Sequence, residues 1–317
     1  MDGRLDWRAP AFGPDRFFVQ PGAASWLSES VKTGQSVSVF GGARIGKTSL
    51  LRQSGCLSWQ RSAVVSARRL DPVEDAVRWL LTQSRDQGLS EEERLFLFVD
   101  DADLLAGSDG RPYLARLATI ATDGLEGHPV SVCLAGTRLW RDATLSPGCP
   151  FAQADVRLSS FPLSVWDRSD VLAFLGGTVG VLDLDRIDRL TRMAGHHPFL
   201  LKGLISRWPD LDASLEACRD DFERAFASWN DQMSPGSDPA AEGVEGHALM
   251  RYLVEKGSAV LFDEAKEDLN RPSLKEEADL LCWLGVIERR PRREAGTGTV
   301  HATSGLFNRW YTARSTV

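Results

Sequence analysis

The sequence predicts an α/β fold: a parallel sheet covered by helices, then a small helical region, then a C-terminal domain of helices with two late strands. Three observations lead there. Short β-rich runs alternate with helical segments up to about residue 158. The β signal then disappears from Phe161 to Trp229. Beyond a Gly-, Pro- and Ser-rich stretch, three helical segments precede two short strands and a last helix. Strands alternating with helices imply a parallel sheet with both faces covered.

The elements follow in order. Ser36–Phe40 (SVSVF) predicts a strand that runs through a glycine-rich turn into a helix from Lys47 to about Gln53. Ala63–Ser66 predicts a second strand, and Pro72–Gln87 a helix with Val73, Ala76, Trp79 and Leu80 on one side. Leu95–Val99 (LFLFV) is a continuous apolar run, as expected of a strand buried on both faces. Arg111–Ala121 predicts a helix, Val130–Ala135 a strand and Val156–Leu158 a last short strand. Helical patterns then cover Ser164–Leu175, Leu184–Met193, Pro198–Arg207 and Leu211–Trp229. Met233–Gly246 reads as a linker. Val286–Arg290 and Gly298–Ala302 are the late strands, before a helix from Leu306; that order is the signature of a winged helix. The expected division is a sheet domain at 1–158, a helical lid at 159–232, a linker at 233–246 and a winged helix at 247–317.

Composition narrows the function classes. With 317 residues, 43% hydrophobic and 26% charged, the chain can bury sizeable cores. A net charge of -7 argues against a protein that works by coating nucleic acid. The five cysteines, Cys56, Cys133, Cys149, Cys218 and Cys282, are scattered and show no C-x-x-C spacing, so reduced thiols are expected. The N-terminal MDGRLDWRAP has no apolar core segment, and no run approaches 18 apolar residues; the expectation is a cytoplasmic protein without a membrane span.

Gly41-Gly42-Ala43-Arg44-Ile45-Gly46-Lys47-Thr48 fits G-x-x-x-x-G-K-[ST] at every fixed position, with a strand before and a helix after. The chemistry of a phosphate-binding loop needs these residue types. Glycines let backbone N–H groups curl around phosphate oxygens, and the following helix aims its positive end at the same anion. The nucleotide-binding residues are therefore Gly41 through Thr48 and Ser49. Lys47 reaches the terminal phosphates, and the Thr48 hydroxyl is the expected Mg²⁺ ligand.

LFLFVDD places Asp100 and Asp101 at the carboxyl end of a buried strand, the edge where open α/β sheets bind ligands. Asp100 suits Mg²⁺, directly or through water, and Asp101 suits orientation of an attacking water. VSVCLAGTR ends another strand in Gly136, Thr137 and Arg138. A guanidinium there is placed to sense a terminal phosphate through bidentate bonds. Gly195-His196-His197-Pro198 separates two helices with the usual glycine-stop, proline-start asymmetry; no Cys, Asp or Glu nearby completes a metal set around the histidines.

In the winged-helix region, Ser273 and Glu276 form an expected capping box for the third helix. Leu280, Leu281 and Leu284 are its buried side, and Gly285 its stop. Its exposed face is expected to carry Lys275, Glu276, Glu277 and Asp279, which repels DNA. The basic residues Arg289, Arg290, Arg292 and Arg293 fall in the wing instead.

GGARIGKTSLL, LFLFVDDADLL, CLAGTR and AGHHPFLL, in this order and followed by a winged helix, resemble the STAND-type ATPases. That class of AAA-related signalling switches includes the NB-ARC proteins and archaeal-type ATPases akin to origin-recognition proteins. The resemblance spans roughly Phe17 to Tyr311. It implies a P-loop NTPase core of AAA type, with five strands and another strand between the phosphate-loop and acidic strands. It implies ATP or dATP as ligand, Pro198 packed near the adenine, and Arg138 as the sensor arginine; the expected cofactors are ATP/ADP and Mg²⁺. Two positions depart from it. Asp101 stands where many relatives carry Glu, which lowers the expected turnover, and DRFFVQPG only loosely matches the Gly-Arg-Glu motif that contacts the base. His301 stands where NB-ARC relatives place a phosphate-sensing histidine, but only the histidine of their Met-His-Asp matches. The function implied is an ATP/ADP-controlled switch with slow hydrolysis, regulating binding of a protein partner or effector, or self-association. The alternatives are an AAA+ loader acting on DNA in replication or transposition, and a pseudo-ATPase scaffold.

Overall fold

The computed structural model describes residues 20–57, 61–68, 71–179, 184–233, 246–257, 259–290 and 298–315. They form two compact units. One contains 20–41 and the described residues of 46–163; the other contains 42–45 and those from 164 onward.

The first unit carries the sheet. Its elements are α1 (Pro21–Lys32), β1 (Ser36–Phe40), α2 (Lys47–Leu57), β2 (Ser62–Ser66), α3 (Asp71–Asp86) and β3 (Leu95–Asp100). A 3₁₀ turn (Ala102–Leu105), α4 (Arg111–Asp123), β4 (Val130–Gly136), α5 (Arg138–Leu145), α6 (Pro150–Gln153) and β5 (Leu158–Pro162) follow. The strands lie in the order β2-β3-β4-β1-β5, all parallel, so β4 separates β1 from β3. Every residue of β3 and β4 is buried, which explains their unbroken apolar runs. Leu97, Val99, Val132 and Leu134 pack with Leu80, Leu117 and Trp140 in the core. Register then sets the working edge: Ser66 pairs with Asp100, and Phe40 with Gly136, so four strand ends align.

The last strand differs from the expectation. It runs over Leu158–Pro162 rather than Val156–Leu158, and pairs with β1 from Ser36↔Leu158 to Phe40↔Pro162. As an edge strand it carries Ser159 and Ser160, which hide its β character, and its terminal proline is tolerated there. The sheet unit extends through Leu163. Helices α1 and α5 were also not legible as separate elements.

The second unit is built from α7 (Arg168–Val179), α8 (Leu184–Ala194), α9 (Pro198–Leu204), α10 (Leu211–Gln232), α11 (His247–Lys256) and β6 (Val260–Leu261). It continues through α12 (Phe262–Leu269), α13 (Leu274–Leu284), β7 (Ile287–Arg290), β8 (Thr299–Ala302) and α14 (Gly305–Ser315). Its small antiparallel sheet has the order β6-β8-β7. An aromatic core joins elements assigned above to two regions. Phe226 and Trp229 of α10 meet Phe307 of α14 at centroid separations of 5.5 and 5.6 Å. Most of the expected linker, and Arg292 and Arg293, lie outside the described residues.

Two expectations about α13 need correction. Ser273 makes no capping bond; its hydroxyl donates instead to Glu277 at 2.9 Å. Glu277 is fully buried rather than exposed, because it also accepts an ion pair from Arg271 at 2.9 Å. Among the described residues, no helix is long and apolar enough to cross a membrane.

Gly195 shows why the first position of GHHP is a glycine. It ends α8 at φ +60°, and a Cβ there would lie 2.6 Å from the Thr303 carbonyl oxygen. Ser304 then ties this junction down by donating to the Met193 carbonyl at 3.0 Å. Gly195→Ala should lower stability by about 1–3 kcal/mol in urea unfolding. The control is Gly176→Ala on the exposed side of α7, where a Cβ meets nothing within 4 Å. There helix propensity should stabilise by up to about 1 kcal/mol. Equal effects at the two sites would contradict the steric account.

Candidate functional site

The carboxyl edge of the sheet gathers the polar groups that the sequence singles out. Lys47 opens α2 and donates to the Gly41 carbonyl at 2.8 Å. Thr48 donates from its hydroxyl to Asp100, the last residue of β3. Gly46 adopts φ +112° and Arg44 φ +62°, with Ile45 between them on the ordinary side. Such alternation turns successive N–H groups toward a common point, the geometry of an anion nest.

Electrostatics marks the same place. Burial pushes the Lys47 ammonium below its usual range, opposed by the fields of Asp103, Asp100 and Asp101. Burial pushes the Asp100 carboxyl up, opposed by the Thr48 hydrogen bond and by Lys47. In each case burial disfavours the charged form. A polyanion against Lys47 and a divalent cation against Asp100 would favour it, so the donor set fits a Mg²⁺–nucleotide. No cluster of three or more His, Cys, Asp or Glu suited to a metal occurs among the described residues. A Mg²⁺ here would use one hydroxyl and one carboxylate, with phosphates and water supplying the rest.

Asp101 follows in the left-handed region, φ +57°, which Asp tolerates better than most residues. Its carboxylate accepts from the Ser66 hydroxyl at 2.7 Å and pairs with Arg68 Nε at 3.0 Å. Both partners come from the end of β2. The Arg68 side chain is 75% exposed, so this pair is an easily broken surface bridge rather than a fixed one.

Asp103 is the residue sequence reasoning missed. One of its carboxylate oxygens accepts from the Thr137 amide at 2.7 Å, the Thr137 hydroxyl at 2.6 Å and the Trp140 amide at 3.2 Å. Thr137 is the N-cap of α5 but makes no cap bond of its own. Asp103 thus supplies the anion that the helix N-terminus lacks and welds the end of β3 to the end of β4. Gly136 is needed beside it, since a Cβ would lie 2.3 Å from that of Trp140. Arg138 opens α5; its Nε sits 3.4 Å from Asp142 one turn on, so a phosphate-sensing role requires it to leave that carboxylate.

The remaining predicted residues lie in the second unit. Gly42 donates its amide to the Trp283 carbonyl at 3.0 Å, and a Cβ on Gly42 would lie 2.5 Å from that oxygen. Arg44 places its guanidinium carbon 4.3 Å from the ring centroid of Phe199. Pro198 is buried at the first turn of α9, beside Phe199. His197 is fully buried against Trp229, centroids 4.6 Å apart, and burial lowers its pKa to about 3, so it is neutral. His301 pairs with Glu288 at 3.4 Å.

No protein-family model matches the sequence, and no curated protein does. Solved structures do match. The chain is similar to a Walker-type ATPase of Pyrococcus abyssi at 15% identity and a TM-score of 0.57, over 96% of this chain and 98% of that one. The ORC2 protein of Aeropyrum pernix aligns at 13% identity and 0.48, over 98% of each chain. The RuvB Holliday junction branch migration motor of Thermotoga maritima aligns at 16% and 0.47, over 98% of each. The first likeness, together with the parallel five-stranded sheet, gives the fold: the chain has the P-loop NTPase fold.

Asp103→Ala should leave the Thr137 and Trp140 amides without their acceptor and cost about 1–3 kcal/mol in chemical denaturation. Asp103→Asn keeps one carbonyl oxygen and should cost less. Unchanged stability in the alanine variant would contradict the weld.

Proposed function

We propose that the chain is an ATP/ADP-controlled molecular switch of the STAND class, whose slow hydrolysis regulates binding of a protein partner or self-association. The observation that carries this reading is the carboxyl edge of the sheet, where Lys47 donates to the Gly41 carbonyl, Thr48 to Asp100, and Asp101 is held by Ser66 and Arg68. A nucleotide bound there meets phosphate-binding and Mg²⁺-binding groups beside a restrained catalytic carboxylate, which fits a slow switch.

In this reading the loop amides from Arg44 to Ser49 and the Lys47 ammonium hold the phosphates, and Pro198 lies near the adenine. Thr48 and Asp100 hold Mg²⁺, which when bound neutralises phosphate charge. Asp101 orients the attacking water, and Arg138 senses the terminal phosphate. The hold of Ser66 and Arg68 on Asp101 supports slow turnover, because a carboxylate engaged by two donors must leave them before it meets water. Among the described wing residues, Arg289 pairs with Asp279 at 2.8 Å and Arg290 with Glu288 at 3.1 Å. Arginines already neutralised by carboxylates favour a protein-contact role for the winged helix over a DNA clamp.

Turnover tests the assignment. Asp101→Asn should slow ATP hydrolysis by about 10²-fold while ADP affinity stays within about threefold. Ser66→Ala and Arg68→Ala free Asp101 and should raise turnover. Wild-type protein without measurable ATPase, alone and with partner, would replace the switch by the scaffold reading. Submicromolar, salt-sensitive binding to duplex DNA would promote the loader.

A further inference from the structure

The phosphate loop contains a feature its binding motif does not require. Arg44 is a non-glycine residue at φ +62°, in the left-handed region that L side chains avoid. Its conformation is needed, because with Gly46 at φ +112° it sets the alternation that points the loop amides inward. A glycine would adopt it without strain. An arginine holds it only if the surroundings over-determine it.

Those surroundings are visible. The Arg44 guanidinium carbon stands 4.3 Å from the Phe199 ring centroid, well within range of a cation–π contact. Phe199 is buried on α9 and is itself backed by Phe222 of α10, centroids 5.7 Å apart in an edge-on arrangement. Arg44 is exposed as a residue, and the partial burial that its guanidinium does have pushes its pKa below the usual range. Asp221 on α10 attracts it, but Asp221 is already ion-paired with Arg224, whose charge opposes Arg44. The Phe199 ring face and the field of Asp221 are thus the two groups that hold the side chain.

We infer that Phe199 of α9 acts, through Arg44, as a positioning residue that pins the phosphate loop in its anion-binding conformation. The affinity for the nucleotide phosphates thereby depends on the placement of a helix that touches no phosphate. This rests on the nucleotide-binding reading above and adds the element that controls it. Loss of the stack lets Arg44 relax out of the left-handed region, and the nest opens.

The experiment measures ADP dissociation constants, with Mg²⁺, on the full chain. Phe199→Leu keeps apolar volume but removes the ring face, and should weaken ADP about fivefold when Arg44 is present. Combined with Arg44→Gly, the same Phe199→Leu change should alter affinity by less than about twofold, because glycine needs no pin. A purely structural role of Phe199 predicts the same ratio in both backgrounds, and that result would overturn the inference. Should Phe199→Leu fail to fold, position 44 alone decides. Arg44→Ala keeps the left-handed demand without the stack and should bind ADP more weakly than Arg44→Gly; equal or reversed affinities would overturn the inference. A wild-type chain that binds no ADP overturns the nucleotide reading and this inference together. ADP binding with an unchanged ratio overturns this inference alone.

Discussion

Placing an ammonium and a carboxylate at the same edge of a buried parallel sheet costs desolvation that packing does not return. Lys47 and Asp100 both bear that cost, and in each burial disfavours the charged form. Lys47 bonds a carbonyl and Asp100 a hydroxyl, both weaker partners than a phosphate or a divalent cation. Much else in the sheet unit serves to keep these groups in place. The full burial of β3 and β4 fixes where their ends lie, and the parallel register lines those ends up.

Around that edge the acidic residues following β3 divide their labour by geometry rather than by type. Asp100 is buried and faces the loop hydroxyl, Asp101 turns through a left-handed residue toward β2, and Asp103 caps α5. Three carboxylates within four positions therefore meet three different environments. Only the middle one is held by a bridge weak enough to exchange.

Much of this was legible in the sequence. β1 was readable to the residue because its apolar run ends at a glycine turn, and the loop motif has fixed chemistry at fixed spacing. The edge strand β5 was misplaced because it is only partly buried and carries Ser159 and Ser160, so its hydrophobic patterning is weak. The role of Asp103 was hidden because a carboxylate that caps a helix from another element leaves no local pattern. Glu277 was assigned to solvent on helical spacing, and only tertiary pairing with Arg271 reveals why it is buried. The hold of Ser66 and Arg68 on Asp101 spans 35 and 33 residues, beyond the reach of any local reading. The strained arginine in the loop was visible as a residue type but not as a conformation.

We propose that this sheet edge binds nucleotide phosphates through Lys47. The most direct measurement is calorimetric titration of ADP with Mg²⁺ into nucleotide-stripped wild-type protein and into Lys47→Ala. Wild type should bind, and the variant should lose about 10²-fold or more in affinity, since a charge-assisted contact to phosphate is removed. Equal ADP affinity in the two proteins, with both folded, would contradict it.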